Sequence, residues 1–468
     1  MILPDFESEY SDLFGTIRKV VPPSMKIYLV GGAVRDILLG RPIRDFDFTA
    51  EGLVRPIGKS IANALNGAYY VLDDEREMVR VIIDDPDSGQ YDIDIALMND
   101  NDIESDLRER DFTINAMAIA LETQPYLVDP LGGEQDLKNK KLSMCAPESL
   151  ENDPMRGMRA IRMSLEFGLE MDPELTAAMK EVASSLDESS FERYRDELFK
   201  ILKMHQNYEA FELIGRFGFL DYLFEGWNLD YTRAHDSLIR DTDLFLRLLT
   251  DIDSGVRPTD SYMEIAVNKL GNYMGACKSF YDKTLSLYHS RRMLTAFAAA
   301  AETLSAADPE LVQRWCTRLT FSGAESAFVQ QAIRSHRYLM ESADVSSFED
   351  VDIYRYFRQF KEGGIAGLLL YLADKYAICR NNSETDEWQR CIDFLDRMAG
   401  AYFTRNLEII QPKPFLSGDD IRDLTHLPAG PFIGTLKNEL IEAQVRKEVC
   451  SREDAEQFVI KRAKENAL

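Results

Sequence analysis

The sequence predicts an α+β chain, a small mixed β-sheet domain with helices on one side followed by an all-α remainder, on three observations. Tyr28, Leu29 and Val30 form an apolar run that Gly31 and Gly32 break, and Ala33 to Leu39 then carry helical spacing that stops at Gly40. Two stretches, Asp45 to Phe48 and Gln90 to Ala96, alternate with the period of a half-buried strand. From about residue 206 to about residue 400 the apolar residues recur at three- and four-residue steps with few β-branched runs, the spacing of packed helices. At 468 residues the chain is too long for one ordinary core, so two to four domains are expected.

Taken in order, residues 1–26 read as an amphipathic lead-in helix ended by Pro22 and Pro23. In the strand, glycine turn and helix that follow, Gly31 and Gly32 let backbone approach a ligand closely, and the turn's N–H groups favour phosphate oxygens. Asp45 and Asp47 then share one face of a strand while Phe46 and Phe48 point to a core. Two carboxylates side by side repel unless a cation sits between them, and magnesium, which takes oxygen ligands and substrate phosphates, is the candidate. Val54 to Leu65 reads as helix, with strands at Tyr69–Leu72, Met78–Ile83 and Gln90–Ala96. In the last of these Asp92 and Asp94 share a face, and either supplies a third carboxylate if that strand lies beside Asp45 and Asp47.

Arg108, Arg110 and Asp111 load what reads as a helix start ahead of the apolar Phe112, Ile114, Met117 and Ala118. Arginines there can clamp a triphosphate, and Asn115 offers a donor and an acceptor to a sugar hydroxyl. A glycine turn at Val128–Lys141 leads to a basic patch, with Asp129 and Asp136 placed to hold it by local hydrogen bonds. A further helix opens at Asp153 and Pro154, with Asp153, Arg156 and Arg159 on one face. A carboxylate and a guanidinium there can read the Watson–Crick edge of a base, or can form a plain i,i+3 ion pair. Phe191 to Lys200 reads as a charged helix, and Phe211–Leu223, Ser237–Leu249, Met293–Leu304, Leu311–Leu319 and Ile365–Ile378 as body helices. Asn406 to Pro414 reads as an extended linker before a helical tail with a Pro-Gly turn.

The order Gly31-Gly32-x-Val34-Arg35-Asp36 followed by Asp45-x-Asp47 resembles the signature of the polymerase-β-like nucleotidyltransferases. In this form it is similar to the class II tRNA nucleotidyltransferase and bacterial poly(A) polymerase family. Arg110-Asp111-Phe112-Thr113, Asp129 to Leu137, Asp153 to Arg156 and the helix at Phe191 resemble the family's second to fifth motifs, and the tail loosely resembles the region that holds the tRNA elbow and corner. The resemblance implies a nucleotidyltransferase head at 1–145, a neck with a nucleotide-selecting helix at 146–205, a body at 206–405 and a tRNA-binding tail at 406–468. It implies that Asp45, Asp47 and Asp94, favoured over Asp92 by its context, hold two Mg2+ ions. Gly31, Gly32, Arg35 and Asp36 would shape the nucleotide end of the pocket, with Arg110, Asp111 and Asn115 on the triphosphate and sugar. Asp153 and Arg156 would read the base of CTP or ATP, and Arg159 would stack or touch phosphate. Two departures stand out: Glu109 occupies the place of an arginine that contacts phosphate or primer, and Asn152 that of a glutamate that orients the selecting arginine.

The implied activity is addition of C and/or A to the tRNA 3′ end, whole CCA or partial, with poly(A) synthesis as the alternative within the family. A formal net charge of −26 disfavours a general RNA binder and leaves one structured RNA as partner, with no DNA expected. Met1 to Glu9 is acidic and no apolar run reaches bilayer length, so a cytoplasmic chain with no membrane partner is expected. Six scattered cysteines without a Cys-x-x-Cys suggest neither disulfides nor zinc. Outside the family, His205, His235-Asp236 and Asp374 follow the order of an HD-type metal phosphohydrolase, and a non-catalytic RNA-binding relative would need a broken carboxylate set, which this chain does not have.

Overall fold

The computed structural model describes the chain except residues 1–5, 7, 9, 76, 86–88, 99–101, 187–190, 205, 228, 251–256, 287–288, 306–307, 429 and 466–468, and except the side chains of 85, 184 and 229–236. The chain divides into two compact units, Met1–Ser189 with Arg216–Phe219, and Ser190–Gly215 with Leu220–Leu468.

The first unit runs α1 (Ser11–Val20), β1 (Ile27–Val30), α2 (Gly32–Leu38), β2 (Asp45–Ala50), α3 (Val54–Ala64), β3 (Ala68–Asp73), β4 (Met78–Asp85), β5 (Gly89–Leu97), α4 (Ile103–Arg108), β6 (Ala118–Ala120), β7 (Tyr126–Val128), α5 (Gly133–Lys138), β8 (Lys141–Leu142), α6 (Ser149–Asn152), α7 (Met155–Phe167), β9 (Glu170–Met171) and α8 (Pro173–Val182). Seven strands make one sheet in the order β3-β4-β5-β2-β1-β6-β7, in which only β2 and β5 are parallel. Alternation decides its two faces. Phe46, Phe48, Val79, Val81, Ile93 and Ile95 are buried on one face, where Phe14 of α1 meets Phe46 edge-on at 6.1 Å and Gly58 lets α3 lie against Val79.

The other face is not bare, as helices on one side alone would leave it. Ile103 and Leu107, one turn apart on α4, pack on Tyr28, Val30, Ala118 and Ala120 and cover the β1–β6 half. Asp102 caps α4, its carboxylate accepting from the Ser105 amide at 3.1 Å, so the helix starts earlier than expected. Arg108 and Arg110 therefore stand at its C-terminal end, and Thr113–Asn115 is a 3₁₀ turn. On that turn sits α5. Asp129 accepts from the amides of Gly133 (2.8 Å) and Glu134 (3.0 Å), and Thr113 donates to Asp136 at 2.7 Å, a bond across the chain rather than within the loop. A Cβ at Gly133 would lie 2.1 Å from the Thr113 carbonyl oxygen.

The second unit is helical: α9 (Phe191–Leu202), α10 (Asn207–Arg216), α11 (Phe219–Leu223), α12 (Leu229–Thr250), α13 (Ser261–Leu270), α14 (Met274–Asp282), α15 (Arg291–Leu304), α16 (Pro309–Arg318), α17 (Gly323–Glu341), α18 (Asp350–Phe360), α19 (Gly363–Asn382), α20 (Thr385–Phe403), α21 (Gly418–Thr425), α22 (Pro431–Val445) and α23 (Arg452–Glu465). The continuous helix expected over Phe211–Leu223 breaks at Gly218, which takes φ +82° and ends α10. Asn406–Ile410, expected as extended linker, winds into one π turn with Ile409 buried and Arg405 paired to Asp350 and Glu408. α19 is buried almost all round its first three turns, within α12, α15, α17 and α20. Leu416, Ile421, Leu436, Leu440, Val449 and Val459 give the tail helices a core of their own. All six cysteines are free, and no described helix is long and apolar enough to cross a membrane.

Inside this unit His336 of α17 lies 3.2 Å from Asp374 and 3.5 Å from Glu302, and Arg337 grips Glu302 through two nitrogens. Burial pulls the His336 imidazolium down, but Asp374 and Glu302 outweigh it and hold it above its ordinary 6.5. Burial likewise pushes Glu302 up, and His336 and Arg337 bring it below its ordinary 4.5.

Two outcomes are expected. Gly133→Ala must part α5 from the Thr113–Asn115 turn and should cost about 1–3 kcal/mol in urea unfolding. The stability added by His336 is complete below its ordinary value and fades as pH rises through the raised one, whereas that of Glu302 fades as pH falls. Urea midpoints measured between about pH 6 and 9 should therefore decline, and His336→Gln should flatten that decline.

Candidate active site

The site begins with strand register. β2 and β5 run parallel with Asp45 beside Asp92 and Asp47 beside Asp94, so four carboxylates share one face while Phe46 and Ile93 point to the core between them. Burial raises the Asp47 carboxyl above its ordinary value and the Asp94 carboxylate adds to it; for Asp45, burial and then Asp92 do the same. Asp94, preferred on sequence, is thus the neighbour of Asp47, and its rival Asp92 the neighbour of Asp45.

A cation that sequence reading missed stands at the next strand. Arg80 of β4 is in register with Asp94 and donates to both its oxygens, from Nε and Nη2, at 2.7 Å each; its Nη1 lies 3.5 Å from Asp92. The signal was a lone arginine in the apolar run Met78–Ile83, on the face set by Met78 and Ile82. It points at nothing until the pairing of β4 with β5 is known.

On the opposite side the Gly31 turn closes in. Gly31 takes φ +72°, which strains any other residue, and a Cβ there would stand 3.1 Å from Nη1 of Arg110, crowding it, and 3.6 Å from Oδ2 of Asp47. Arg110, oriented by Asp106 at 3.1 Å, is the cation on this flank and draws the Asp47 carboxyl downward against the effect of burial.

Arg35, Asp36 and Asn115 form a brace behind this flank. Arg35, 8% exposed, donates from Nη1 to Asn115 Oδ1 (2.5 Å) and from Nε and Nη2 to Asp36 (3.0 and 3.2 Å), and lies 4.2 Å over the Phe167 ring. Asn115 donates in turn to Asp111 (3.2 Å), which pairs with Arg159 at 2.7 Å. The brace thus runs from α2 through the second motif to α7. Arg156 extends it, donating to the carbonyls of Glu109 (2.8 Å) and Arg110 (3.2 Å) and to Ser149 Oγ (2.7 Å). Asp153 accepts from the Met155 amide at 3.2 Å. Glu109 offers its backbone oxygen to Arg156, a contact indifferent to its side chain. Asn152 ends α6, one residue before Asp153.

The first unit therefore brings Gly31, Asp45, Asp47, Asp94 and Arg110 together, with Arg35, Asp36, Asp111, Asn115, Asp153, Arg156 and Arg159 around them. His205 and the side chains of His235 and Asp236 lie outside the described residues, and Asp374 is engaged by His336. Among the described residues no three His, Cys, Asp or Glu side chains gather as a metal cage.

Residues 27–143 match the family described as Poly A polymerase head domain, and residues 168–230 match the probable RNA and SrmB binding site of polymerase A. The chain is 29% identical to the A-adding tRNA nucleotidyltransferase of Deinococcus radiodurans, covering 93% of this chain and 95% of that one. It is 26% identical to the CC-adding tRNA nucleotidyltransferase of Synechocystis sp., covering 93% of each. In fold it resembles the Thermotoga maritima CCA-adding enzyme complexed with tRNA, with a TM-score of 0.62 and 20% identity over 98% of this chain and 96% of that one. The head-domain match spans the glycine turn, both aspartate strands and the Arg35–Asn115–Asp111 part of the brace, and over 93% of its length the chain is similar to tRNA nucleotidyltransferases.

Proposed function

We propose that this chain is a template-independent nucleotidyltransferase that adds C and/or A to the 3′ end of tRNA from CTP and ATP, releasing pyrophosphate, in the cytoplasm. The observation that carries the reading is the parallel β2–β5 register, which sets Asp45 and Asp47 on an open face beside a glycine turn and Arg110. The full-length likeness to tRNA-extending relatives supports tRNA over poly(A) synthesis. A second reading, addition of only C or only A, is favoured because both of these relatives are named for partial addition.

Magnesium fits the donor set. Asp45 and Asp47 are hard oxygen donors whose crowding a divalent cation relieves, and magnesium takes one or two carboxylates plus substrate phosphates rather than a full protein cage. When bound, it supplies Lewis acidity to the α-phosphate and acidifies the attacking hydroxyl. Asp94, expected from the sequence to hold two ions together with Asp45 and Asp47, carries Arg80 on both oxygens, so we assign an ion to Asp45 and Asp47.

The residues divide the remaining work. Arg110 and the bare Gly31 turn receive the triphosphate. The tRNA 3′-oxygen attacks in line, forming a bond to the α-phosphorus as the bond to pyrophosphate breaks. Arg156 holds the 109–110 turn to α7, which leaves Asp153, just ahead of that helix, to face the base, with Arg159 beside it on Asp111.

Asp47→Asn should lower nucleotide incorporation roughly 10³-fold while the urea midpoint holds; a folded variant at the parent's rate would sink the assignment. Incubation with tRNA lacking the whole CCA end, tRNA lacking only the terminal A, and an unrelated RNA, each with labelled CTP or ATP and magnesium, should give one to three added nucleotides on tRNA alone. Long tails on every RNA would establish poly(A) synthesis instead.

A further inference from the structure

The sheet row that contains the aspartates continues outward to a free edge. In register, Tyr70 of β3 stands opposite Arg80 of β4, Arg80 opposite Asp94 of β5, Asp94 beside Asp47 of β2, and Asp47 opposite Val30 of β1. Residues in register share a face, so these side chains form one line across the sheet. At about 4.8 Å per strand, Tyr70 stands roughly 14 Å from Asp47.

The two ends of the line differ. At Val30 the first unit is closed by Leu107, Met98 and Ala116, and the neighbouring flank is taken by Gly31 and Arg110. At the other end β3 is an edge strand, the Arg80 side chain is 38% exposed, and Tyr70 is 52% exposed. With the triphosphate on the Arg110 flank, the attacking strand has to approach from the β4–β3 side. That approach passes four carboxylates, and a phosphodiester cannot lie beside them without a fixed cation. Arg80 is such a cation: Asp94 holds its Nε and Nη2, Asp92 lies 3.5 Å from its Nη1, and the side chain stays 38% exposed. Beyond it, the exposed ring of Tyr70 offers a flat face to a base, and stacking of that kind is indifferent to sequence, as an enzyme acting on many tRNAs requires.

We propose that the row Tyr70–Arg80–Asp94 is the docking track for the single-stranded 3′ end of the tRNA, with Arg80 on a backbone phosphate and Tyr70 stacked on a base upstream of the reacting one. Asp94 serves as the positioning residue for Arg80. The inference rests on the function proposed above, and its single-stranded RNA occupant follows from continuity with the aspartates and from the paired cation and ring.

The test uses the full chain, tRNA lacking its CCA end, CTP and ATP. Tyr70→Ala should raise KM for tRNA about tenfold or more while KM for the nucleotide holds, and Tyr70→Phe, which keeps the ring, should restore the parent value. Arg80→Gln should reduce the slope of log tRNA affinity against log salt by about 0.7, the effect of one lost phosphate contact on a single strand. Irradiation of tRNA carrying 4-thiouridine at its last three positions, without magnesium or nucleotide, should crosslink to the β3 peptide. A parent KM for tRNA in Tyr70→Ala, an unchanged salt slope in Arg80→Gln, or a crosslink confined to other peptides would each overturn the track. A change in oligomeric state in Tyr70→Ala with KM for tRNA unmoved would assign the edge to self-association and overturn it too. Should the parent extend no tRNA at all, the proposed function fails; should it extend tRNA and the variants behave as the parent, only the track fails.

Discussion

Four carboxylates on two adjacent parallel strands repel one another, and the first unit is arranged to contain that repulsion. Its sheet supplies the crowding, because strand pairing leaves Asp45, Asp47, Asp92 and Asp94 no other face on which to stand. Two guanidiniums supply partial relief from opposite flanks, Arg80 through a two-nitrogen grip on Asp94 and Arg110 beside Asp47. Neither cancels the charge, and burial first, then the neighbouring carboxylates, keep the Asp45 and Asp47 carboxyls above their ordinary values. A face kept acidic and half-neutralised is disposed to take up a divalent cation and the anions that accompany it.

The brace from Asp36 through Arg35, Asn115 and Asp111 to Arg159 keeps that flank in place. Arg35, Asn115 and Asp111 are each under a tenth exposed, and a buried polar chain of this kind is rigid only while each member has its partner. Removing one leaves a charge stranded in low dielectric, which costs more than the bond was worth. These bonds tie α2 and the second motif to α7. Sequence reading had placed Arg35 and Asn115 against the substrate, whereas the Arg35 guanidinium is spent on Asp36, Asn115 and the Phe167 ring.

What could be read from the sequence was local. The period-two alternation of Asp45–Phe48 and Gln90–Ala96 located both carboxylate pairs, and the Gly31-Gly32 pair located the turn, where Gly31 takes φ +72°. The register between those strands is non-local, so the choice between Asp92 and Asp94 needed the fold, and Arg80 was invisible until β4 lay beside β5. Helix ends failed where one residue outweighed periodicity: Asp102 moved the start of α4, and Gly218 cut one helix into two. The π turn at Asn406–Ile410 escaped because its anchor, Arg405 on Asp350, is 55 residues away in sequence.

α19 carries a consequence for how the second unit comes apart. The first three turns of α19 are apolar on every side and have no solvated face on which to survive alone, and α12, α15, α17 and α20 surround them. Their amides meet water only after those neighbours have let go, so their hydrogen exchange reports the dissolution of the entire bundle rather than any local breathing.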